Sequence, residues 1–481
     1  MSPSSSPVRS VALIGLGWHA RRVYYPWLEE AVLQGRIRLT AAVDLRGNGE
    51  ALRGFLAQRR VTPEHLLLTE PGPHPDRLPD ELTGQLDALH AAGQLDGVVI
   101  STEPRAHKGY VLWALSRGVH VLLDKPITAP ASATSLEEVS QELWSDFEDI
   151  ARARAASSSR LVVQAQRRAH AGYAFIQHYL EDFLQEHGVP VSFLDVYHAD
   201  GMWVMPDEWD REHHPYKYRT GKLLHSGYHF VDLVSWLLEP NDRLRPSPSS
   251  LEFQVQALEP KDFLALLHGR YEHLFGPDAA PRAVSSVESH GEMDLTLMGR
   301  VLSQGSVQTL LSMQLLQNSF SRRASPSPPA DPYKGAGRVR HERMNLQVGP
   351  LLNLQVHSYQ SYEVGDRRAQ LPYGPGHLDH FDVYVFRNAG VVGGTPFEKL
   401  EVGRADSRHG HNEQARLTLL EAFLQGRESG SELEDHRRTN RWLSRIYHAL
   451  HVRQAQSLET CSMPWTSGGS LTRSSRSPSA R

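Results

Sequence analysis

Four short runs of apolar residues lie near the start of the chain, each separated from the next by a segment of helical pattern. The runs are Val11–Ile14, Leu39–Val43, Gly97–Ile100 and Val119–Leu123. Strands that are apolar throughout, rather than at every second position, are typical of a parallel sheet covered by helices on both faces. The alternation therefore predicts a doubly wound α/β domain. Its helices are expected at about 19–34, 47–58, 81–93 and 105–117.

The pattern changes beyond about residue 190. Helices are expected at 136–155 and 170–187, and strand-like stretches then follow one another with little helix between them. Adjacent long strands favour an antiparallel sheet. We therefore expect a second domain built on such a sheet. Its strands are expected at 191–199, 251–258, 292–301, 306–316, 344–358 and 381–388, and a closing helical pair at 412–426 and 433–453.

A glycine-rich turn follows the first apolar run directly and opens a helix. Residues 15–20 read GLGWHA, which is the G-x-G-x-x-A pattern. In this pattern Gly15 allows the tight turn, Gly17 lets the backbone approach a pyrophosphate, and Ala20 lets the helix pack closely on the strand. The pattern is informative only between a strand and a helix, and the sequence supplies both. It predicts a dinucleotide site that includes Gly15, Gly17, Trp18, His19 and Ala20.

The second run ends in Asp44, where an acidic side chain would accept hydrogen bonds from the ribose hydroxyls of NAD and repel the 2′-phosphate of NADP. Gly17 and Asp44 are 27 residues apart, which is more than the usual spacing of about 20. Arg46 lies close by and could accept a 2′-phosphate. The expected cofactor is therefore NAD, with NADP left open.

Polar residues follow the third and fourth runs. Ligands of doubly wound sheets bind at the carboxyl ends of strands. Lys125 follows the fourth run and is expected at the reacting end of the cofactor, where burial and a cationic nicotinamide would lower its pKa and suit it to proton transfer. The residues after the third run are expected beside the nicotinamide half of the cofactor; they are Thr102, Glu103, Pro104 and His107.

A third motif lies in the second domain, where residues 221–232 read GKLLHSGYHFVD. His225, His229 and Asp232 stand at positions i, i+4 and i+7, which share one face of an α-helix. The apolar residues that follow indicate that the helix continues into the core.

Taken in order, residues 15–20, Asp124-Lys125-Pro126 and residues 221–232 resemble the motifs of the Gfo/Idh/MocA oxidoreductase family, which includes glucose–fructose oxidoreductase and inositol dehydrogenase. The resemblance implies a Rossmann dinucleotide-binding domain over residues 9–128 and a substrate and oligomerisation domain with an open-faced antiparallel sheet over residues 129–455. It also makes a cis Lys125–Pro126 bond plausible.

The family's chemistry implies an NAD(P)-dependent oxidoreductase that transfers a hydride between nicotinamide and an alcohol or ketone of a sugar, cyclitol or nucleotide sugar. His229 matches the family's catalytic histidine and would take the hydroxyl proton while Lys125 holds the oxygen. Two departures leave other functions open, since His225 replaces the family's aspartate and Lys222 replaces a glycine. The chain could be an NAD-dependent glycoside hydrolase of the same family, or a cofactor-binding regulatory protein with altered catalysis.

Several further residues are expected to bind substrate. The flat ring of Trp203 suits a sugar face, although packing under a loop is an equal alternative, and Arg168 could touch a hydroxyl or carboxylate or lie on the surface. His225 and His229 could also bind a metal ion with His198, His213 or His214, but no third ligand is identifiable by spacing, so no metal is expected. The expected substrate-binding residues are His225, Lys222, Asp232, Tyr228, Trp203 and Arg168.

The composition narrows the possible partners. The charge is nearly balanced, with 51 basic against 55 acidic residues, so nucleic acid is not an expected partner. No apolar run reaches the ~18 residues of a membrane span, and the single Cys461 excludes an internal disulfide and favours a cytoplasmic location. An open sheet must cover its free face, which favours a homodimer or homotetramer. The polar ends, 1–8 and 456–481, are expected to be disordered.

Overall fold

Two sheets make up the architecture of the chain. The expected fold class, a doubly wound parallel sheet followed by an α/β domain with an open-faced, mostly antiparallel sheet, is confirmed. The computed structural model describes residues 7–72, 74–131, 133–200, 209, 216–244, 249–266, 270, 273, 290–317, 339–361, 379–402 and 411–455. Trp203, His213, His214 and the tail 456–481 lie outside these residues.

The first sheet has six parallel strands in the order β3-β2-β1-β4-β5-β6. Its strand order reverses between β1 and β4, which opens a crevice at the carboxyl ends of these two strands. The leucine-rich strand β3 escaped the sequence analysis, and β6 extends the sheet beyond the expected domain end at residue 128. The strands are β1 (Ser10–Ile14), β2 (Arg38–Leu45), β3 (His65–Thr69), β4 (Gly97–Ile100), β5 (His120–Leu123) and β6 (Leu161–Val163).

Helices cover both faces of this sheet. The helix expected at 19–34 is broken in two at Val23. Helix α6 begins where Ser135 caps it by accepting a hydrogen bond from the Glu138 N–H, as serine commonly does. The helices are α1 (Trp18–Arg22), α2 (Tyr24–Leu33), α3 (Gly49–Leu56), α4 (Asp80–Ala91), α5 (His107–Ser116) and α6 (Leu136–Ala155).

The second sheet has eight strands in the order β14-β13-β12-β11-β7-β10-β9-β8. Neighbouring strands are antiparallel except β7 and β10. The single strand expected at 344–358 is two strands, because the chain turns at Gly349, which has a positive φ of 48°. The strands are β7 (Phe193–Ala199), β8 (Ser249–Leu258), β9 (Asp294–Ser303), β10 (Ser306–Leu316), β11 (Val339–Val348), β12 (Leu352–Ser361), β13 (Asp379–Arg387) and β14 (Phe397–Glu401).

One face of this second sheet packs on helices, whereas the other carries exposed apolar side chains. Alternate residues of β10 show this, since Leu311 is buried and Leu310 is 53% exposed. Met298 and Phe386 are also exposed. Association through this face stays a prediction. The remaining helices are α7 (Ala171–His187), α8 (Tyr228–Leu237), α9 (Glu239–Leu244), α10 (Pro260–Leu266), α11 (Ala389–Val392), α12 (His411–Leu424) and α13 (Arg437–Ala455).

Helix α12 returns to the first domain. Its Leu420 and Phe423 pack in the same apolar core as Val11 of β1. Val8, which falls within the start expected to be disordered, is buried, and its N–H donates to Leu424 O at 2.9 Å. Helix α12 therefore contributes to the core of the N-terminal domain, although it is distant from that domain in sequence. No helix in the described ranges is long and apolar enough to cross a membrane.

A buried ion pair anchors helix α8, which carries His229. Arg168, in the turn after β6, donates two hydrogen bonds of 2.9 Å to the carboxylate of Asp232. The carboxylate of Asp232 also accepts a hydrogen bond from Thr439 Oγ1 at 2.9 Å. The same carboxylate lies 2.9 Å from His436 Nδ1. Burial alone would raise the pKa of Asp232, but the charges of Arg168 and His436 hold it well below its usual range.

Removing the cation from this pair should destabilise the fold. In Arg168→Leu the carboxylate of Asp232 stays buried without its partner, and we expect the free energy of unfolding to fall by about 3–5 kcal/mol. Urea-induced unfolding followed by circular dichroism measures the change. The matched control is Arg117→Leu, whose pair with Asp87 is part-exposed and should be worth less than about 1 kcal/mol. Equal losses in the two variants would show that the buried pair does not anchor α8.

Candidate functional site

A cavity of about 890 Å³ runs along the carboxyl ends of the first sheet and reaches helices α8 and α12. At one end it is lined by the glycine turn after β1, and at the other by residues of the second domain. The crevice predicted from the strand order is therefore present. Both expected halves of the site, the cofactor half and the reacting half, open onto this one cavity.

The glycine turn fits a dinucleotide phosphate. Gly15 has φ of +86°, and a Cβ there would lie 2.7 Å from Ser101 O, so a larger residue cannot make this turn. A Cβ on Gly17 would meet no atom within 4 Å, which leaves open space against the backbone at the position where the pattern brings a pyrophosphate. Ala20 is buried beneath the turn, in the packing role predicted for it.

Two neighbours of the turn face the same space. Trp18 is 63% exposed and lines the cavity. His19 also lines it, and its Nε2 lies 3.2 Å from Asp124 Oδ2. The ring of His19 thus lies between the glycine turn and the residue that precedes Lys125.

Asp44 lines the cavity at the end of β2, as expected for a residue near the adenosine ribose. Its carboxylate is already held by the chain, since it accepts hydrogen bonds from Leu16 N at 2.7 Å and Asn48 Nδ2 at 2.8 Å. Arg46, the alternative partner for a 2′-phosphate, forms an ion pair with Glu70 at 3.1 Å. The charges at this end therefore favour NAD over NADP.

The turn after β4 contributes Thr102, Glu103 and Pro104 to the cavity wall. His107 does not line the cavity, contrary to expectation. Its ring is fully buried, with Nδ1 3.0 Å from Pro126 O and Nε2 3.2 Å from Thr102 O. Burial lowers the pKa of His107. This histidine therefore holds together the two turns that carry the cofactor-side residues and Lys125.

Lys125 lines the cavity beyond β5, and its bond to Pro126 is cis, as the resemblance implies. Its Nζ donates to His225 O at 2.7 Å. Burial lowers the pKa of Lys125 to about 8, with Asp124 opposing this effect and Arg416 adding to it. An amine with this pKa can change its protonation state near neutral pH.

His229 faces the same cavity from α8 and is 5% exposed. Burial, followed by the charges of Lys125, Arg167 and Arg416, holds its pKa well below the ordinary value of histidine. Its Nδ1 has no hydrogen-bond partner within the described part of the chain. The imidazole is therefore neutral, and its unpartnered Nδ1 is itself buried.

The helix that carries this motif differs from the expected one. Residues 223–227 form a π-helical turn ahead of α8, and a π turn is wider than an α turn. His225 and His229 both line the cavity, but Asp232 does not share their face. The ring of His225 packs edge-on against Tyr216, with centroids 5.3 Å apart.

Four residues expected to touch substrate lie behind the cavity wall. Lys222 is fully buried, and its Nζ donates to Asp200 Oδ2 at 2.6 Å. Tyr228 is fully buried, with its hydroxyl 3.4 Å from His436 Nδ1. Asp232 and Arg168 form the ion pair that anchors α8. These four hold the fold around the site and do not reach the cavity.

Several cavity residues escaped the sequence analysis. They come from distant segments, so no local pattern joins them. Arg167 had a weak signal as the neighbour of Arg168, and His198 appeared only as a possible metal ligand. The residues missed at the reacting end are Gln166, Arg167, His198, Asp200, Gln317, Arg340, Asn412 and Arg416.

The part of the chain that the structure describes contains no cluster of metal-ligating side chains. No group of three or more His, Cys, Asp or Glu side chains there could hold an ion. His198 Nδ1 lies 3.1 Å from Lys222 Nζ instead.

Comparison with solved structures shows a shared fold along nearly the whole chain. Aldose–aldose oxidoreductase from Caulobacter crescentus, complexed with glycerol, is 15% identical, with a TM-score of 0.55 over 93% of this chain and 98% of that one. The WlbA dehydrogenase from Bordetella pertussis, with NADH and UDP-GlcNAcA, is 14% identical, with a TM-score of 0.51 over 92% of this chain and 95% of that one. Levoglucosan dehydrogenase, with NADH and levoglucosan, is 13% identical, with a TM-score of 0.53 over 93% and 97% of the chains.

The comparison with curated proteins returns no match. Residues 9–146 match the family model described as the oxidoreductase family with an NAD-binding Rossmann fold. This range contains the glycine turn, Asp44 and Lys125, which all line the cavity. Residues 9–146 of this chain are thus similar to the NAD-binding Rossmann domain of the Gfo/Idh/MocA oxidoreductase family.

Proposed function

We propose that this chain catalyses the NAD-dependent oxidation of a hydroxyl group on a sugar-like substrate, or the reverse reduction of the ketone. One observation carries the proposal. The half-buried Lys125 and the buried His229, both with lowered pKa values, open onto the same cavity as the glycine turn. The solved relatives that bind glycerol, levoglucosan and UDP-GlcNAcA support a polyhydroxylated substrate.

The residues divide the chemistry between them. When bound, NAD supplies the hydride acceptor. The ammonium of Lys125 uses one proton on His225 O and has two left to hold the substrate oxygen. The neutral imidazole of His229 can take the hydroxyl proton. Because its lowered pKa makes it a weak base, the positive charge of Lys125 must stabilise the developing alkoxide.

Purified protein incubated with NAD and a panel of sugars, cyclitols and nucleotide sugars tests the proposal. Accumulation of NADH with oxidation of one panel member is the expected result. Cleavage of a glycoside without net NADH would instead establish the hydrolase alternative. Cofactor binding with neither reaction would favour a regulatory role.

Substitutions at Lys125 and His229 should separate chemistry from cofactor binding. We expect Lys125→Met and His229→Gln each to lower kcat by about 10²- to 10⁴-fold, since each removes a proton-transfer or oxygen-holding group. The affinity for NADH, measured by fluorescence titration, should change little. Lys261→Met is the control, because Lys261, on α10, pairs with Glu259 and does not line the cavity. Unchanged kcat in both site variants would remove these residues from the chemistry.

The pH dependence should show the protonation state that Lys125 needs. Its pKa of about 8 means that the ammonium form is present below pH 8 and is lost above it. If the ammonium holds the substrate oxygen, kcat/KM for oxidation at saturating NAD should fall on the alkaline side, at or below pH 8. Any activity that the Lys125→Arg variant has at neutral pH should persist at high pH, because a guanidinium keeps its charge. An activity that instead rises through pH 8 would make neutral Lys125 the base.

The preference for NAD over NADP should depend on the charged side chains at the end of β2. We expect NAD to bind at least about tenfold more tightly than NADP, a difference of about 1.4 kcal/mol, because Asp44 repels a 2′-phosphate and Arg46 is paired with Glu70. Asp44→Ser should narrow the ratio in a fluorescence titration with NADH and NADPH. Arg46→Gln should leave the ratio unchanged. Tighter binding of NADPH to the unmodified protein would contradict this assignment.

A further inference from the structure

The reacting end of the cavity holds more cations than carboxylates among its described residues. The carboxylates that line this end are Asp124 and Asp200, whereas four cationic side chains line it. These cations are Lys125, Arg167, Arg340 and Arg416.

Arg167 and Arg340 each lie beside a carboxylate. Arg167 forms a buried ion pair with Glu342. Lys222 lies 2.6 Å from Asp200, and Arg340 lies 3.6 Å from the other oxygen of the same carboxylate. Asp200 thus has two cations beside it, whereas no ion pair among the described residues involves the side chain of Arg416.

Arg416 projects from α12 into the cavity and is 9% exposed. Its backbone carbonyl accepts from Gln164 Nε2 at 3.0 Å, a bond that does not involve the guanidinium. No acidic group among the described residues lies within ion-pairing distance of that guanidinium. A guanidinium cannot lose its proton in a protein, so its charge persists when a ligand excludes water.

The position of Arg416 points to the substrate rather than to the cofactor phosphates. Gln164, whose side chain donates to Arg416 O at 3.0 Å, also donates its backbone N–H to Leu123 O at 2.8 Å, two residues before Lys125. Arg416 therefore lies at the reacting end, where its charge also lowers the pKa of both Lys125 and His229. Oxidised nicotinamide at this end would add a further positive charge. A neutral substrate would leave this excess uncompensated in a dry site, which is costly.

We propose that the substrate carries an anionic group, a carboxylate or a phosphate, which pairs with Arg416 at the reacting end of the cavity. This inference rests on the proposed function and narrows its substrate class to acidic sugars or sugar phosphates. The planar fork of arginine donates two parallel hydrogen bonds to such groups. Arg340, on strand β11, adds to the positive electrostatic field around Arg416.

Matched pairs of probes test the charge of the substrate. D-glucuronate, D-galacturonate and D-glucose 6-phosphate are compared with D-glucose and D-galactose, by kcat/KM with NAD and by calorimetric binding to the NADH-bound protein. We expect at least one charged probe to exceed its neutral partner by about tenfold or more. A preference for uronates assigns a carboxylate, and a preference for the phosphate ester assigns a phosphate. The absence of a charged-over-neutral preference in every pair overturns the proposal.

Substitutions locate the effect. Arg416→Gln should reduce the charged-over-neutral ratio to near one, and Arg416→Lys should restore part of it, because an ammonium keeps the charge but not the fork. Arg152→Gln, on the exposed side of α6, is the control and should leave the ratio unchanged. If Arg416→Gln weakens NADH binding and leaves the ratio intact, Arg416 serves the cofactor and the proposal is overturned.

These outcomes are distinct from failure of the proposed function. Oxidation of neutral sugars alone keeps the proposed function and overturns the anion site. Tight binding of a charged probe that depends on Arg416, without any NADH formation, supports the anion site and counts against the dehydrogenase activity.

Discussion

The hydrogen bond from Lys125 Nζ to His225 O, 2.7 Å long, joins the two halves of the site. The lysine follows β5 of the parallel sheet, and the carbonyl belongs to the π-helical turn ahead of α8. These positions are 100 residues apart in the chain. The turn itself depends on a close approach, because a Cβ on Gly221 would lie 2.0 Å from Glu292 O. The separation between Lys125 and His229 thus depends on how this turn packs within the second domain.

The cofactor half of the site could be predicted because each of its residues follows a strand. Gly15, Gly17, Asp44 and Lys125 all stand at carboxyl ends, and the alternation of apolar runs locates those ends without tertiary information. His107 is the exception, since its ring turns inward to bond the carbonyls of Thr102 and Pro126. A sequence position beside a site does not decide which way a side chain points.

The reacting half was harder to predict, for two physical reasons. A π turn breaks the α-helical spacing on which the expected shared face of residues 225, 229 and 232 depends, and an ion pair with Arg168 explains Asp232 better than substrate binding does. Arg416 and Arg340 come from α12 and β11, and only the folded chain brings them together. Arginine is also the predominant basic residue of this chain, so its abundance hides the few arginines that face the cavity.

The two departures from the family's motif now have different consequences. Lys222 replaces a glycine, but Asp200 and His198 bind its ammonium behind the cavity wall, so this substitution adds little charge to the site. His225 replaces an aspartate and therefore removes a negative charge from the cavity wall. Arg416 contributes a positive charge at the same end, and no carboxylate among the described residues forms an ion pair with it. Both effects make the net charge of the site more positive. An anionic substrate would balance this charge, and a neutral substrate would not.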